Sequence, residues 1–135
     1  MHITLEADYA VRTVYCLIKD GGRMEAKRIS EKTGTTLRFT LKLLRKLVKC
    51  GIAKSYKGTG GGYEINRAPE NINLREVIEA VEGPYMLSRC LCDDYVCTNT
   101  VNEGPCLIKR VFGEISDEVR TKLESVTFDR FMNAK

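Results

Sequence analysis

The sequence predicts a mainly helical fold carrying one small β hairpin, and three observations predict it. Apolar residues recur at spacings of three and four over several stretches, bounded by glycines and capping residues. Two short strand-like runs flank the string Lys57-Gly58-Thr59-Gly60-Gly61-Gly62. The 135 residues are 43% hydrophobic and 30% charged, which suits one domain or a small domain with an appendage. No apolar run approaches the length of a membrane span, so no membrane partner is expected. Glu6, Asp8 and Arg12 interrupt the first 20 residues, which do not read as a signal peptide. A cytoplasmic, reducing home follows, in which six cysteines are not a disulfide framework.

The elements follow in order. Ala7, Ala10, Val11, Val14, Leu17 and Ile18 share one helical face, predicting a helix over about 5–19 with Thr4 as cap and Gly21-Gly22 as stop. A short helix around 25–33 ends at Gly34. Thr35 or Thr36 then caps a third helix that runs to about Cys50, with Gly51 beyond it. Short helix, glycine turn and longer helix is the outline of a helix-turn-helix. Ile52–Tyr56 and Tyr63–Ile65 pair as a hairpin directly behind it, in the position of a wing. No Gly-Lys-Ser/Thr follows those glycines, so they do not form a P-loop. Asn73-x-x-Glu76 forms a capping box ahead of a fourth helix over 74–82, which Gly83-Pro84 ends. About 20 residues without helical period come next, a length of loop that is unusual unless functional. Pro105 is expected to open a last long helix along Leu107, Ile108, Val111, Phe112, Ile115, Val119 and Leu123. So small a chain offers that helix no third layer, so a partner subunit is expected to cover it. Thr127 to Phe131 is read as a short terminal turn.

Charge is divided along the chain. Residues 1–67 hold 14 Lys/Arg against 6 Asp/Glu, and residues 68–135 hold 8 against 12. A basic half suits a polyanion. The third helix sharpens this reading. Leu37, Leu41, Leu44 and Val48 form one line, expected to enter the core, while Arg38, Lys42, Arg45 and Lys49 form a second line ~100° away. The second line can present four cations to phosphates or base edges, and Lys54, Lys57 and Arg67 add charge around the wing.

Four cysteines fall in the irregular segment. One residue separates Cys90 from Cys92, four separate Cys92 from Cys97, and eight separate Cys97 from Cys106. Paired Cys-x2-Cys knuckles are absent, which disfavours structural zinc, whereas iron–sulfur clusters accept irregular thiolate spacing. Cys16 and Cys50 lie in helical patterns and read as buried small hydrophobes. The sole histidine, His2, reads as solvated.

Taken in order, these blocks resemble the bacterial winged-helix repressors grouped with the iron–sulfur regulator IscR, the nitric-oxide sensor NsrR and the cysteine regulator CymR, the Rrf-type family. The resemblance rests on Ala7-Asp8-Tyr9-Ala10-Val11-Arg12, on Ile29-Ser30-Glu31-Lys32-Thr33-Gly34 and on the wing string Gly58-Thr59-Gly60-Gly61-Gly62-Tyr63. Leu74-Arg75-Glu76-Val77-Ile78-Glu79-Ala80-Val81-Glu82-Gly83 and the cysteine block complete it, so it covers nearly the whole chain. It implies a winged helix-turn-helix domain over 1–83, a cluster-binding loop over 84–105, and a dimerisation helix with its tail over 106–135. It implies a homodimer on a palindromic operator in double-stranded DNA, contacted through Thr36, Arg38, Phe39, Lys42 and the wing-tip Lys57, to which the cation line adds Arg45 and Lys49 and the glycine-rich tip adds Gly60.

The resemblance also implies an iron–sulfur cofactor, 2Fe–2S or 4Fe–4S, ligated by Cys90, Cys97 and Cys106. The eight-residue final gap exceeds the family's usual spacing. IscR-like members supply a histidine three residues after the last cysteine, where this chain has Lys109, a poor iron ligand. Asp8, matching a carboxylate of NsrR-like members, and Cys92 are the two candidates for the fourth ligand. The expected function is a transcriptional regulator, a repressor, that senses iron–sulfur, redox or nitric-oxide status; no enzymatic constellation is visible. A clusterless regulator of the CymR kind is the alternative. A small electron-transfer protein would account for the cysteines but has no use for a wing.

Overall fold

A computed structural model describes residues 2–98 and 106–133. Helix α1 (Leu5–Asp20) starts at Thr4, whose Oγ1 accepts a hydrogen bond from the Ala7 N–H at 3.1 Å. It ends as Gly21 turns left-handed and donates to the Leu17 carbonyl. Its face of Ala7, Ala10, Val14 and Leu17 is fully buried, with α4 (Leu74–Glu82) as principal neighbour and α2 (Ala26–Thr33) and α3 (Leu37–Lys49) also packed against it. Two alanines on that face let the neighbouring backbones approach closely. The capping box of α4 forms as its sequence requires: the Glu76 N–H donates to Asn73 Oδ1 at 3.0 Å, and the Asn73 N–H donates to Glu76 Oε1 at 3.2 Å.

The third helix is rotated from its expected setting. Thr40, Leu43, Leu44 and Leu47 enter the core, while Leu37 and Leu41 stay exposed and Val48 is only partly covered. The buried line is displaced by ~80° from the Leu37–Val48 line, which puts the core almost opposite the cations. Both lines are apolar enough to be buried; α1 and α4 meet the one that leaves the charges farthest from the core. Cys50 differs from expectation too: it is exposed, as the C-cap of α3, whereas Cys16 is partly buried.

Strands β1 (Ala53–Tyr56) and β2 (Gly62–Ile65) pair antiparallel, Ala53 opposite Ile65 and Tyr56 opposite Gly62. A third partner joins them that sequence reading did not foresee. Met24, in the link from α1 to α2, exchanges backbone hydrogen bonds of 2.8 and 2.9 Å with Tyr63 and is itself buried. A Cβ at Gly62 would lie 2.7 Å from the Met24 carbonyl oxygen, so glycine there is a condition of the pairing.

After α4 the chain runs through a 3-10 turn (Arg89–Leu91) to α5 (Leu107–Glu124) and a short α6 (Asp129–Asn133). Pro105, expected to open α5, lies outside the described residues. Only Ser116 of α5 is buried; Leu107 and Ile108 are 70% and 61% exposed, and Val111 and Ile115 are exposed as well. The chain then returns to the core, which the reading of a terminal turn missed. The Leu74 N–H donates to the Val126 carbonyl at 2.9 Å, the Phe128 N–H donates to the Ile72 carbonyl at 2.9 Å, and Phe128 is fully buried. Phe128 thus shares one core with α1, α3 and α4. No helix of the described residues is long and apolar enough to cross a membrane.

Two substitutions test this core in opposite directions. Phe128→Ala is expected to cost about 3–5 kcal/mol in urea unfolding, as buried aromatic truncations do; a loss below about 1 kcal/mol would show that the tail does not close the core. The buried Thr40 hydroxyl has no hydrogen-bond partner among the described residues. Thr40→Val is therefore expected to raise the unfolding free energy by about 1 kcal/mol. A decrease would mean that the hydroxyl is satisfied.

Candidate nucleic-acid interface and cysteine segment

The turn between α2 and α3 is built locally. Gly34 adopts φ 79° and donates to the Ser30 carbonyl at 2.9 Å, Thr35 donates to the same carbonyl, and Thr36 Oγ1 caps α3 by accepting from the Phe39 N–H at 3.1 Å. Thr36, Arg38, Lys42, Arg45 and Lys49 are all exposed. Phe39 is half-buried with its ring edge-on to Tyr9, centroids 5.7 Å apart, so it docks α3 on α1 as well as edging the outer face. A shallow groove runs along that face between Thr36 and Arg45, with Leu37 and Leu41 in its lining.

One cation of α3 is employed inward. Lys46 donates to Glu6 Oε1 at 2.6 Å and to the Val81 carbonyl at 3.2 Å, tying α3 to α1 and α4 at once. Glu6 also lies 3.9 Å from the Lys42 ammonium. At the same end of α1 the Thr4 hydroxyl and N–H both donate to the Glu82 carboxylate. These polar ties fix the angle at which α3 leaves the body. The signal for them was readable only as unassigned charges, because their partners stand 35 or more residues away.

The wing is braced from behind. Tyr56 donates to Glu64 Oε1 at 2.6 Å, and the Arg23 guanidinium stacks over the Tyr56 ring, 3.5 Å from its centroid. The bond to the Glu64 carboxylate pushes the Tyr56 phenol above its ordinary pKa, so the hydroxyl keeps its proton and stays a donor. Lys57 and Gly60 follow at the exposed tip, with Gly60 at φ 77°.

The cysteine segment rests on α5. The Leu87 N–H donates to Ser116 Oγ at 2.9 Å, and Ser116 donates in turn to the Phe112 carbonyl. Arg120 bonds the Tyr85 carbonyl and Asp117, and Leu91 lies over Gly113. Half-buried Cys90 shares a hydrogen bond of 3.2 Å with Ser88 Oγ, while Cys92 and Cys97 are exposed. Cys106 is half-buried at the start of α5. Asp8 stands on α1, paired at 3.0 Å with Arg12. Among the described residues no three His, Cys, Asp or Glu side chains converge on one point as a metal requires. Burial pushes the Cys16 thiol up from its ordinary pKa, which keeps it a protonated, unreactive group.

The sequence and the fold have counterparts in known proteins. An HTH-type transcriptional regulator of Haemophilus influenzae is 31% identical over all of this chain and 89% of its own length. The HTH-type transcriptional regulator IscR of Pectobacterium carotovorum is 28% identical, again over the whole chain and 81% of its own length. The structure of CymR, the global cysteine regulator of B. subtilis, superposes with a TM-score of 0.74 at 23% identity, over 96% of this chain and 94% of that one. That likeness shows the winged-helix fold. Residues 3–134 match the Rrf2 family, described as an iron-dependent transcriptional regulator. With helix-turn-helix, wing and long α5 all in place, the chain belongs to the Rrf2 family of transcriptional regulators, proteins that bind DNA and are not enzymes.

Proposed function

We propose that the protein is a cytoplasmic homodimeric repressor that reads a palindromic operator with α3 and the wing, and whose cysteine segment senses iron–sulfur, redox or nitric-oxide status. The observation that carries this reading is the attachment of the cysteine segment to α5. The helix that bears the segment, through Ser116 and Arg120, also exposes Leu107, Ile108 and Val111 along one face. A second copy would bury that face, so dimer and sensor would share one helix. From α5 the path to DNA is short. Arg75 of α4 bonds Glu124 of α5 at 2.8 Å, and α4 packs on both α1 and α3. A rearrangement of the segment could thereby bias the setting of α3.

The donors suit an iron–sulfur cluster in kind. Cys90, Cys97 and Cys106 are soft thiols, none of them fully buried, with Cys92 or Asp8 to complete the set. Lys109, exposed on the first turn of α5, has no lone pair to offer while charged. Because the thiols stand apart, binding would have to gather them, as is usual where ligands lie on loops and binding is coupled to folding. A bound cluster would supply a centre that oxidants, nitric oxide or iron scarcity can alter. The separation of the thiols equally supports a second reading, a regulator of the CymR kind that works without a cluster.

Anaerobic purification decides between the two. The first reading expects a coloured protein with iron and sulfide in stoichiometric amounts, and loss of the visible spectrum in Cys97→Ala or Cys106→Ala while the fold and dimer persist. Cys92→Ala and Asp8→Ala then separate the fourth ligands, since only the ligand's loss should change the native spectrum. A colourless protein would leave the clusterless reading, and full retention of iron and sulfide in either cysteine variant would refute the ligand assignment.

DNA contact is tested on duplexes selected from a random-sequence pool. Arg38, at the start of α3, can bond both major-groove acceptors of a guanine; Arg38→Ala is expected to cost about 1–3 kcal/mol and to relax preference at one position per half-site. Lys49, three turns on, offers only charge. Lys49→Ala should weaken all duplexes alike and lower the salt slope by about one per site, hence about two per dimer. Equal, sequence-independent losses in both variants would displace the reading head from the start of α3.

A further inference from the structure

Two leucines on the outer face of α3 have no structural occupation. Leu37 is 43% exposed and Leu41 is 37% exposed, although the helix had apolar positions enough to bury itself without them. They stand one turn apart among Arg38, Lys42 and Arg45, and all five line the same shallow groove. No acidic side chain lines that groove, so a second copy of this face, with its own three cations, would be repelled from it. The occupant that suits cations and exposed leucines together is the major groove of duplex DNA. There phosphates flank base edges, and the one apolar group on those edges is the thymine methyl.

We infer that Leu37 and Leu41 are specificity residues that read thymine methyl groups, so that the operator carries thymines at two fixed positions in each half-site. The inference rests on α3 being the recognition helix. One turn of helix separates the two side chains by about 6 Å along the axis. A base-pair rise of about 3.4 Å then places the two methyls roughly two steps apart. Burying each methyl against a leucine removes apolar carbon of both partners from water. The neighbouring cations supply attraction without regard to sequence, whereas the leucines discriminate by shape.

The test uses the full chain and a duplex that it selects from a random pool. Each thymine of that duplex is replaced in turn by deoxyuridine, which removes the methyl and nothing else from the base edge. Binding is read by fluorescence anisotropy. With the wild-type protein, uracil at two positions per half-site is expected to weaken binding about four-fold for each methyl removed. Leu41→Ala should abolish the penalty at one of these positions and keep it at the other, and Leu37→Ala should do the converse. Both residues are exposed, so unchanged thermal unfolding certifies the variants. Indifference of the wild type to every uracil overturns the inference, as do identical uracil penalties in wild type and both variants or a selected site without thymine. If Arg38→Ala still relaxes a base preference in that case, the recognition helix stands and only the leucines' role falls. If the pool yields no preferred duplex, both fall together.

Discussion

The buried face of α1 is the constraint on which the other parts depend. Ala7, Ala10, Val14 and Leu17 are wholly excluded from water, and α2, α3 and α4 each take their place by covering part of that face. Because two of the four are alanines, the covering helices sit close and have little freedom to slide. Lys46 reinforces the arrangement with charge, since one ammonium joins α3 to a carboxylate of α1 and a carbonyl of α4. An ion pair at a partly exposed site adds little stability on its own. Its use is directional: it sets the tilt at which α3 faces outward.

The cationic face of α3 is a by-product of that packing. Once Leu43, Leu44 and Leu47 are committed to the core, Arg38, Lys42, Arg45 and Lys49 point the opposite way, as far from low dielectric as the helix allows. The same economy governs the wing. A two-stranded hairpin is marginal alone, and here it gains a third backbone partner at Met24 and a stacked guanidinium from Arg23. Both braces come from the link between α1 and α2, so helix and wing are referred to one frame.

The cysteine segment belongs to a different mechanical unit. Its hydrogen bonds run mainly to α5, with one from the Tyr85 N–H to Glu79 of α4, and α5 meets the body through α4 and through the returning tail at Phe128. Most of the apolar surface of α5 is left outward. An element with few buried contacts is the kind whose position a ligand or a partner can shift at low cost.

Much of this was legible in the residues themselves. Thr4, Thr36 and Asn73 announced three helix starts, Gly34 the turn between α2 and α3, and the glycine string the wing; each of these signals is satisfied by atoms within a few positions in the chain. The cation line of α3 was legible for the same reason, because spacing alone puts four residues on one side of a helix. What the tertiary structure decided was everything requiring a partner distant in sequence. Leu37–Val48 and Thr40–Leu47 were both acceptable core lines, and only the helices packed against α3 could choose between them. Met24 carries no strand signal by itself, because a single bridging residue has no periodicity, and Phe128 looked like the edge of a turn until Ile72 was there to receive its N–H. The four thiols mark the limit most clearly. Their chemistry is written in the chain, but bringing donors together is a matter of distance, and distance between remote residues exists only in the folded molecule.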